Sequence, residues 1–130
     1  MCYTDAMKSL QLCIVTLLLT VILPAATINN APSSIEGWVI DSACAYSKNL
    51  SKPISPKCAV DCARHGSPLV ILTSDGRIYL PIDNATPAQG QNPKLLPYSG
   101  KRARVTGQVY ERSGSWAIAV QKVEPLPASR

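Results

Sequence analysis

Four residues carry most of the chemistry this sequence offers: Cys44, Cys58, Cys62 and His65, the last being the sole histidine of the chain. Cys58, Cys62 and His65 fall at i, i+4 and i+7 within Ser55-Pro56-Lys57-Cys58-Ala59-Val60-Asp61-Cys62-Ala63-Arg64-His65-Gly66, so a helix there lays them along one stripe. Such a group suits a disulfide, a soft-metal site or thiol redox work. Side chains one helical turn apart have Cβ atoms about 5–6 Å apart, whereas a disulfide needs about 3.5–4.5 Å. A regular helix therefore does not bridge Cys58 to Cys62, and Cys44 is the expected partner of one or the other. A metal site would draw on Cys44, Cys58 and Cys62, with His65 as a fourth ligand and zinc or copper as the ion. At about 1.5 Å rise per residue, Cys58 and His65 lie about 10.5 Å apart along the axis, so that site requires the last turn to unwind. The redox reading is the weakest of the three. Cys58, in the first turn, is placed where the helix dipole favours a thiolate, but the spacing is C-x-x-x-C rather than C-x-x-C and His65 is too far along to act as its base.

The helix that must position these groups is well punctuated. Ser55 is a good N-cap, Pro56 occupies the first position at no cost, and Gly66 stands where a left-handed residue ends a helix. The rest of the chain reads as short strands. Ile35 to Asp41 is β-rich, with Gly37 marking a bend or bulge, and Cys44 follows at its exit. Tyr46 to Pro53 reads as loop. Pro68 to Thr73 is a continuous apolar run suited to a buried strand, and Asp75-Gly76 is a hairpin signal. Arg77 to Ile82 alternates, with Ile78, Leu80 and Ile82 assigned to the inward face. Asp83 to Leu96 reads as loop with a short turn at Pro93–Leu96. In Lys101 to Arg112, Ala103, Val105, Gly107 and Val109 face one way, and Gly107 marks a bulge that flips later parity. Ser113-Gly114 turns the chain into Ser115–Val123, with Trp116, Ile118 and Val120 inward.

Five short strands and little helix predict a mainly β fold: a small, partly open five-stranded barrel of the OB type, with one short helix between strands 1 and 2. A three-plus-two sandwich is the alternative. At 130 residues, the chain has room for one domain, here residues 35–124, with a tail over 125–130. Residues 1–26 read as a signal peptide, Lys8 preceding the apolar run Leu12–Ala26 and small residues following it, with Met7 a tidier start than Met1. Residues 27–34 read as a polar tether. The run is shorter than the ~18–20 residues that span a bilayer, so a membrane role requires the leader to stay uncleaved. The expected location is exported, periplasmic or extracellular. Removing the leader discards Cys2 and Cys13, and leaves the formal charge at +5, since it takes one cation and one anion. That balance favours an anionic surface or polymer as partner.

Gly37-Trp38-Val39-Ile40-Asp41-Ser42-Ala43-Cys44, Cys58-Ala59-Val60-Asp61-Cys62-Ala63-Arg64-His65-Gly66, Asp75-Gly76-Arg77-Ile78-Tyr79 and Val105-Thr106-Gly107-Gln108-Val109 together resemble a family of short exported bacterial proteins of uncharacterised function. That family's motifs are Gly-x-Val-x-Asp-Ser-x-Cys and Cys-x-x-x-Cys-x-x-x-Gly. The resemblance implies an exported location and an OB-like barrel rather than an activity. Family members often carry a His before the helix cysteines; here His65 follows them.

The function expected from these observations is a small, cysteine-stapled binding or scaffolding module without catalysis or cofactor, presenting Arg102, Arg104, Gln108 and Tyr110 as its binding surface. A soft-metal protein is the alternative. Scattered aromatics and export argue against nucleic acid as partner.

Overall fold

A computed structural model describes residues 31–48 and 55–127. The leader and the first half of the tether fall outside these residues.

Five strands close into a barrel in the order β1-β2-β3-β5-β4. They are β1 (Ser33–Asp41), β2 (Leu69–Leu72), β3 (Ile78–Ile82), β4 (Arg102–Arg112) and β5 (Ser115–Pro125). All neighbours are antiparallel except β3 and β5, which run parallel. Two helices, α1 (Ser42–Ser47) and α2 (Pro56–Arg64), separate β1 from β2, and a short α3 (Asn92–Leu95) followed by a 3-10 turn (Leu96–Tyr98) separates β3 from β4. The expectation of a single helix thus missed α1, and the turn read at Pro93–Leu96 is α3 with its 3-10 extension. Among the described residues, no helix is long and apolar enough to cross a membrane.

β1 serves two partners. Ser33 to Trp38 pair with β4, and Trp38 to Asp41 pair with β2. The change of partner demands a bend, and Gly37 sits at it. A Cβ there would lie 2.6 Å from the Leu72 carbonyl oxygen and 2.8 Å from Ile71 Cγ2. The second tight point is Gly107, where a Cβ would overlap the carbonyl oxygen of Ala119. There the ladder slips: Thr106 faces Lys122 but Gly107 faces Val120, leaving Gln121 as the extra residue on β5. The parity that flips is therefore that of β5. Ile118 and Val120 point into the core, and beyond the slip Val123 takes over that role. Trp116 packs partly against the same core, as its alternation implied.

β2 explains its unbroken apolar run. Leu69 and Ile71 enter the barrel core, while Val70 and Leu72 join Ile40 and Ala45 in a second cluster beneath α1. Both faces of the strand are thus covered. The register then decides β3. Tyr79 pairs with inward Ile71, and Ile78 pairs with outward Leu72. Tyr79 is 5% exposed in the core and Leu80 is 49% exposed, so the inward face assigned to Ile78, Leu80 and Ile82 is corrected to that of Tyr79. Alternation gives the period of a strand but not which face is inward. Ala63 of α2 and Leu95 of α3 complete the core.

Turn chemistry agrees with the residues. Gly76 has φ +84°, and Thr73 exchanges backbone bonds with Arg77 and Gly76. Ser113 (φ 50°) and Gly114 (φ 79°) form the paired positive-φ turn of a tight hairpin.

Because Gly107 abuts backbone rather than a flexible side chain, Gly107→Ala should cost about 1–3 kcal/mol in urea unfolding. Gly90→Ala, with nothing within 4 Å of the added methyl, is the control and should be near neutral. Equal effects of the two would contradict the close approach.

Candidate functional site

Asp41, the last residue of β1, stands where α1 begins, with Cys44 of α1 and Cys62 of α2 near enough to affect its ionisation. Asp41 is 3% exposed, and its Oδ1 accepts the Cys44 backbone N–H at 2.6 Å, capping α1. The Cys44 backbone, the Cys62 and Cys44 thiols and the Ala43 backbone all favour its charged form, and Cys58 is a lesser contributor to the raised pKa of Cys62. α2 supplies both of these cysteines because its ends are fixed as the sequence implied. The Ser55 hydroxyl accepts from Cys58 N at 3.3 Å. At the other end Gly66 N donates to Ala63 O and Ser67 N donates to Cys62 O, both at 3.1 Å, with Gly66 at φ +95°. That is a Schellman ending.

All three cysteines are free thiols here; Cys44 and Cys62 are half-buried and Cys58 is exposed. The electrostatics follow from the carboxylate. Burial opposes ionisation of Asp41, yet the amide and thiol donors outweigh it and hold its pKa below the ordinary value. The thiols respond in the opposite sense. Burial and then the Asp41 charge raise Cys44, with Lys48 opposing. Cys62 is pushed up to about 11, chiefly by its hydrogen bond to Asp41, then by burial. Both shifts keep these thiols protonated at neutral pH, so neither is an activated nucleophile.

His65 stands apart. Its Nδ1 lies 2.7 Å from the Asp61 carbonyl oxygen, so the ring is folded onto its own helix, and its backbone N–H caps α2. Among the described residues no group of three or more His, Cys, Asp or Glu is arranged to hold a metal ion. The residue that joins the thiols is Asp41, which the cysteine spacing alone did not bring forward. Its position three residues before Cys44 was the available signal, being that of an N-cap.

The proposed arginine surface divides. Arg102 and Arg104 both pair with Glu36, at 3.7 Å and 2.6 Å. Gln108 donates to the neighbouring Val109 carbonyl at 3.4 Å. Tyr110 goes elsewhere: it is 42% exposed, its hydroxyl donates to Asn84 Oδ1 at 3.2 Å, and it lines an open groove of about 770 Å³.

That groove runs between α1, the β2–β3 hairpin and the β4–β5 turn. Tyr46 of α1, 78% exposed, stands on one side, and Leu80 and Tyr110 on the other. Arg77 lies over the ring of Trp116, with its guanidinium carbon 5.1 Å from the centroid. Trp116 in turn meets buried Tyr79 at 5.6 Å in a tilted contact. Asp75 pairs with Arg77 at 3.3 Å, whereas Arg112 has no ion-pair partner among the described residues. Sequence reasoning missed most of this groove because Leu80 had been assigned inward and Trp116, though it packs on the core, also lines the groove.

Comparison of the chain with protein-family models, with curated proteins and with solved structures finds no match in any of the three.

Two outcomes follow for the thiol centre. Cys62 has an ordinary pKa of 9.0 that folding raises to about 11. Its contribution to stability is therefore fully present below pH 9 and lost as pH rises through about 11. Denaturation midpoints should fall across that window, and the fall should flatten in Cys62→Ser. Asp41→Asn keeps a good cap but removes the charge. Each pKa unit recovered at Cys62 gives about ten times more thiolate of about threefold lower nucleophilicity. Alkylation of Cys62 at pH 8, followed by peptide mapping, should therefore accelerate roughly threefold to tenfold, and an unchanged rate would dissociate the carboxylate from the thiol.

Proposed function

We propose that this chain is an exported, non-catalytic binding module of the OB type, and that its groove takes a segment of an acidic oligosaccharide. The observation that carries the reading is the composition and place of the groove. It lies on the β2–β3 face between the β1–β2 and β4–β5 connections, which is where OB barrels bind oligosaccharides and oligonucleotides. The closed strand order, the parallel β3–β5 pair and the helical segment before β4 support the OB assignment. So does the motif resemblance of residues 37–44, 58–66, 75–79 and 105–109.

The chemistry of the groove selects the ligand class. Ring-shaped units pack on the exposed Tyr46 and Tyr110, while Arg112 supplies charge for carboxylates or sulfates. The net charge of +5 draws such polymers in over longer range. Nucleic acid shares the charge but not the compartment that residues 1–26 imply. The thiol centre serves the module as structure, holding α2 and α1 to the end of β1.

The test is calorimetric titration with an oligogalacturonate at low salt. Saturable, salt-sensitive binding is expected, weakened at least tenfold by Arg112→Ala or Tyr46→Ala. Arg104→Ala, whose guanidinium is already held by Glu36, should bind nearly as the parent. No saturable binding, or equal loss in Arg104→Ala, would refute the groove; tighter binding of single-stranded oligodeoxythymidine would move the ligand class to nucleic acid.

A further inference from the structure

The barrel is closed, yet one of its strands overruns its neighbour. β4 pairs with β1 only from Arg102 to Gly107, because β1 begins at Ser33, immediately after Pro32. The β4–β5 ladder continues to Arg112. Gln108 to Arg112 therefore form a ribbon with β5 whose other side is unpaired among the described residues.

Which backbone groups this edge offers follows from the parity of the ladder. Neighbouring residues of a strand turn their N–H and C=O groups to opposite sides. Arg102 O accepts from Leu126 N at 3.0 Å, on the β5 side, whereas Lys101 O accepts from Val39 N at 3.0 Å, on the β1 side. Even-numbered residues of β4 thus bond to β5, and odd-numbered ones face β1. The extra residue at the slip, Gln121, lies on β5, so the parity of β4 runs on unbroken. The two-residue turn at Ser113-Gly114 agrees, since it makes Arg112 and Ser115 a hydrogen-bonded pair. Beyond Gly107, Val109 and Glu111 therefore hold their N–H and C=O groups outward. Among the described residues one side chain meets them: Gln108 Nε2 donates to Val109 O at 3.4 Å.

The edge is complementary to itself. A two-fold axis through Tyr110 sets Val109 against Glu111 of a second copy, Gln108 against its Arg112, and Tyr110 against its own equivalent. Both Val109–Glu111 pairs are of the hydrogen-bonded kind, so every outward N–H and C=O finds a partner. An axis through Val109 would use only half of them, because Gly107 is already taken by Ser33. No like charges stand opposite one another, and exposed Tyr110 meets an aromatic ring on the groove side.

We infer that two copies of this chain pair antiparallel through the Gln108–Arg112 edge of β4, joining two barrels in one continuous sheet. So short a ribbon buries less than the roughly 1,200–2,000 Å² of a stable interface, so the pair is weak, forming between about 10 µM and 1 mM. The pairing also brings Tyr110 and Arg112 of both copies to one face. Resting on the groove assigned above, a long acidic oligosaccharide then engages both grooves and tightens the pair.

The test is sedimentation equilibrium of the full chain, its thiols kept reduced, from about 10 µM to 1 mM, with amide hydrogen exchange read at both ends of that range. A concentration-dependent dimer is expected. The Val109 and Glu111 amides should exchange more slowly in the concentrated sample, while those of Gln108 and Tyr110, already bonded to β5, should change little. Val109→Pro deletes an outward N–H and leaves the β5 ladder its bonds, and Tyr110→Lys sets two ammonium groups on the axis. Each should weaken the dimer at least tenfold, and Tyr110→Lys, at an exposed site, serves if the proline variant fails to fold. Leu80→Lys, exposed but on β3, should leave it unchanged. A monomer at every concentration would overturn the inference, as would association that survives both substitutions, the result expected of contacts through the apolar run Leu12–Ala26. Protection of Val109 and Glu111 independent of concentration would overturn it too, assigning the edge to the residues before β1 of the same chain. Oligogalacturonate binding by a strict monomer sinks the pairing alone; a dimer that binds none sinks the groove alone and upholds the pairing.

Discussion

A buried carboxylate is expensive unless donors surround it, and Asp41 is the point where the rest of this fold must agree. No salt bridge among the described residues reaches it. Its charge is met instead by the Cys44 backbone N–H at 2.6 Å, with the thiols of Cys62 on α2 and Cys44 on α1 favouring the ionised form. Asp41 also pairs with Leu69 in the β1–β2 ladder, and the next residue, Ser42, donates to the Pro68 carbonyl at 2.9 Å. One side chain thus sets the end of β1, the start of α1, the position of α2 and the entry to β2. Removing any one donor leaves the others to hold a charge that burial disfavours.

The barrel is closed by backbone contacts as much as by side chains. Gly37 and Gly107 each admit a neighbouring carbonyl where any side chain would collide. The first lets β1 turn from β4 to β2, and the second, with Gln121 pushed out of register, lets β4 and β5 coil. Coiling of this kind is what allows only five strands to meet as a cylinder. Tyr79, Ile71, Ile118 and Leu95 fill the cylinder, and the groove lies outside it, beside α1.

Much of this was legible in the residues. Ser55, Pro56 and Gly66 mark α2 almost to the residue, and Asp75-Gly76 and Ser113-Gly114 mark both hairpins. The strand count, the barrel and the slip at Gly107 also follow from local pattern, but closure does not: a partly open barrel was expected, and the strand order closes. What escaped depends on tertiary context. Asp-Ser-Ala-Cys after a strand is ambiguous between an exit and an N-cap, and α1 is a single short helix with no room for periodicity. β3 alternates cleanly, but Ile78, Leu80 and Ile82 outscored Tyr79 and Pro81 on hydrophobicity, while the neighbouring strand decided the face. Arg102 and Arg104 looked available because nothing local shows that Glu36, 68 residues from Arg104, lies across the ladder. A pairing of Cys44 with Cys58 or Cys62 was expected, and the three stand as free thiols; the part played by Asp41 beside them was not foreseen.

α1 is six residues long and carries Cys44 on one side and Tyr46 on the other. Between them in the chain, Ala45 packs with Ile40, Val70 and Leu72, so α1 is anchored through one small side chain, and enlarging that residue would disturb the neighbourhoods of both Cys44 and Tyr46 together.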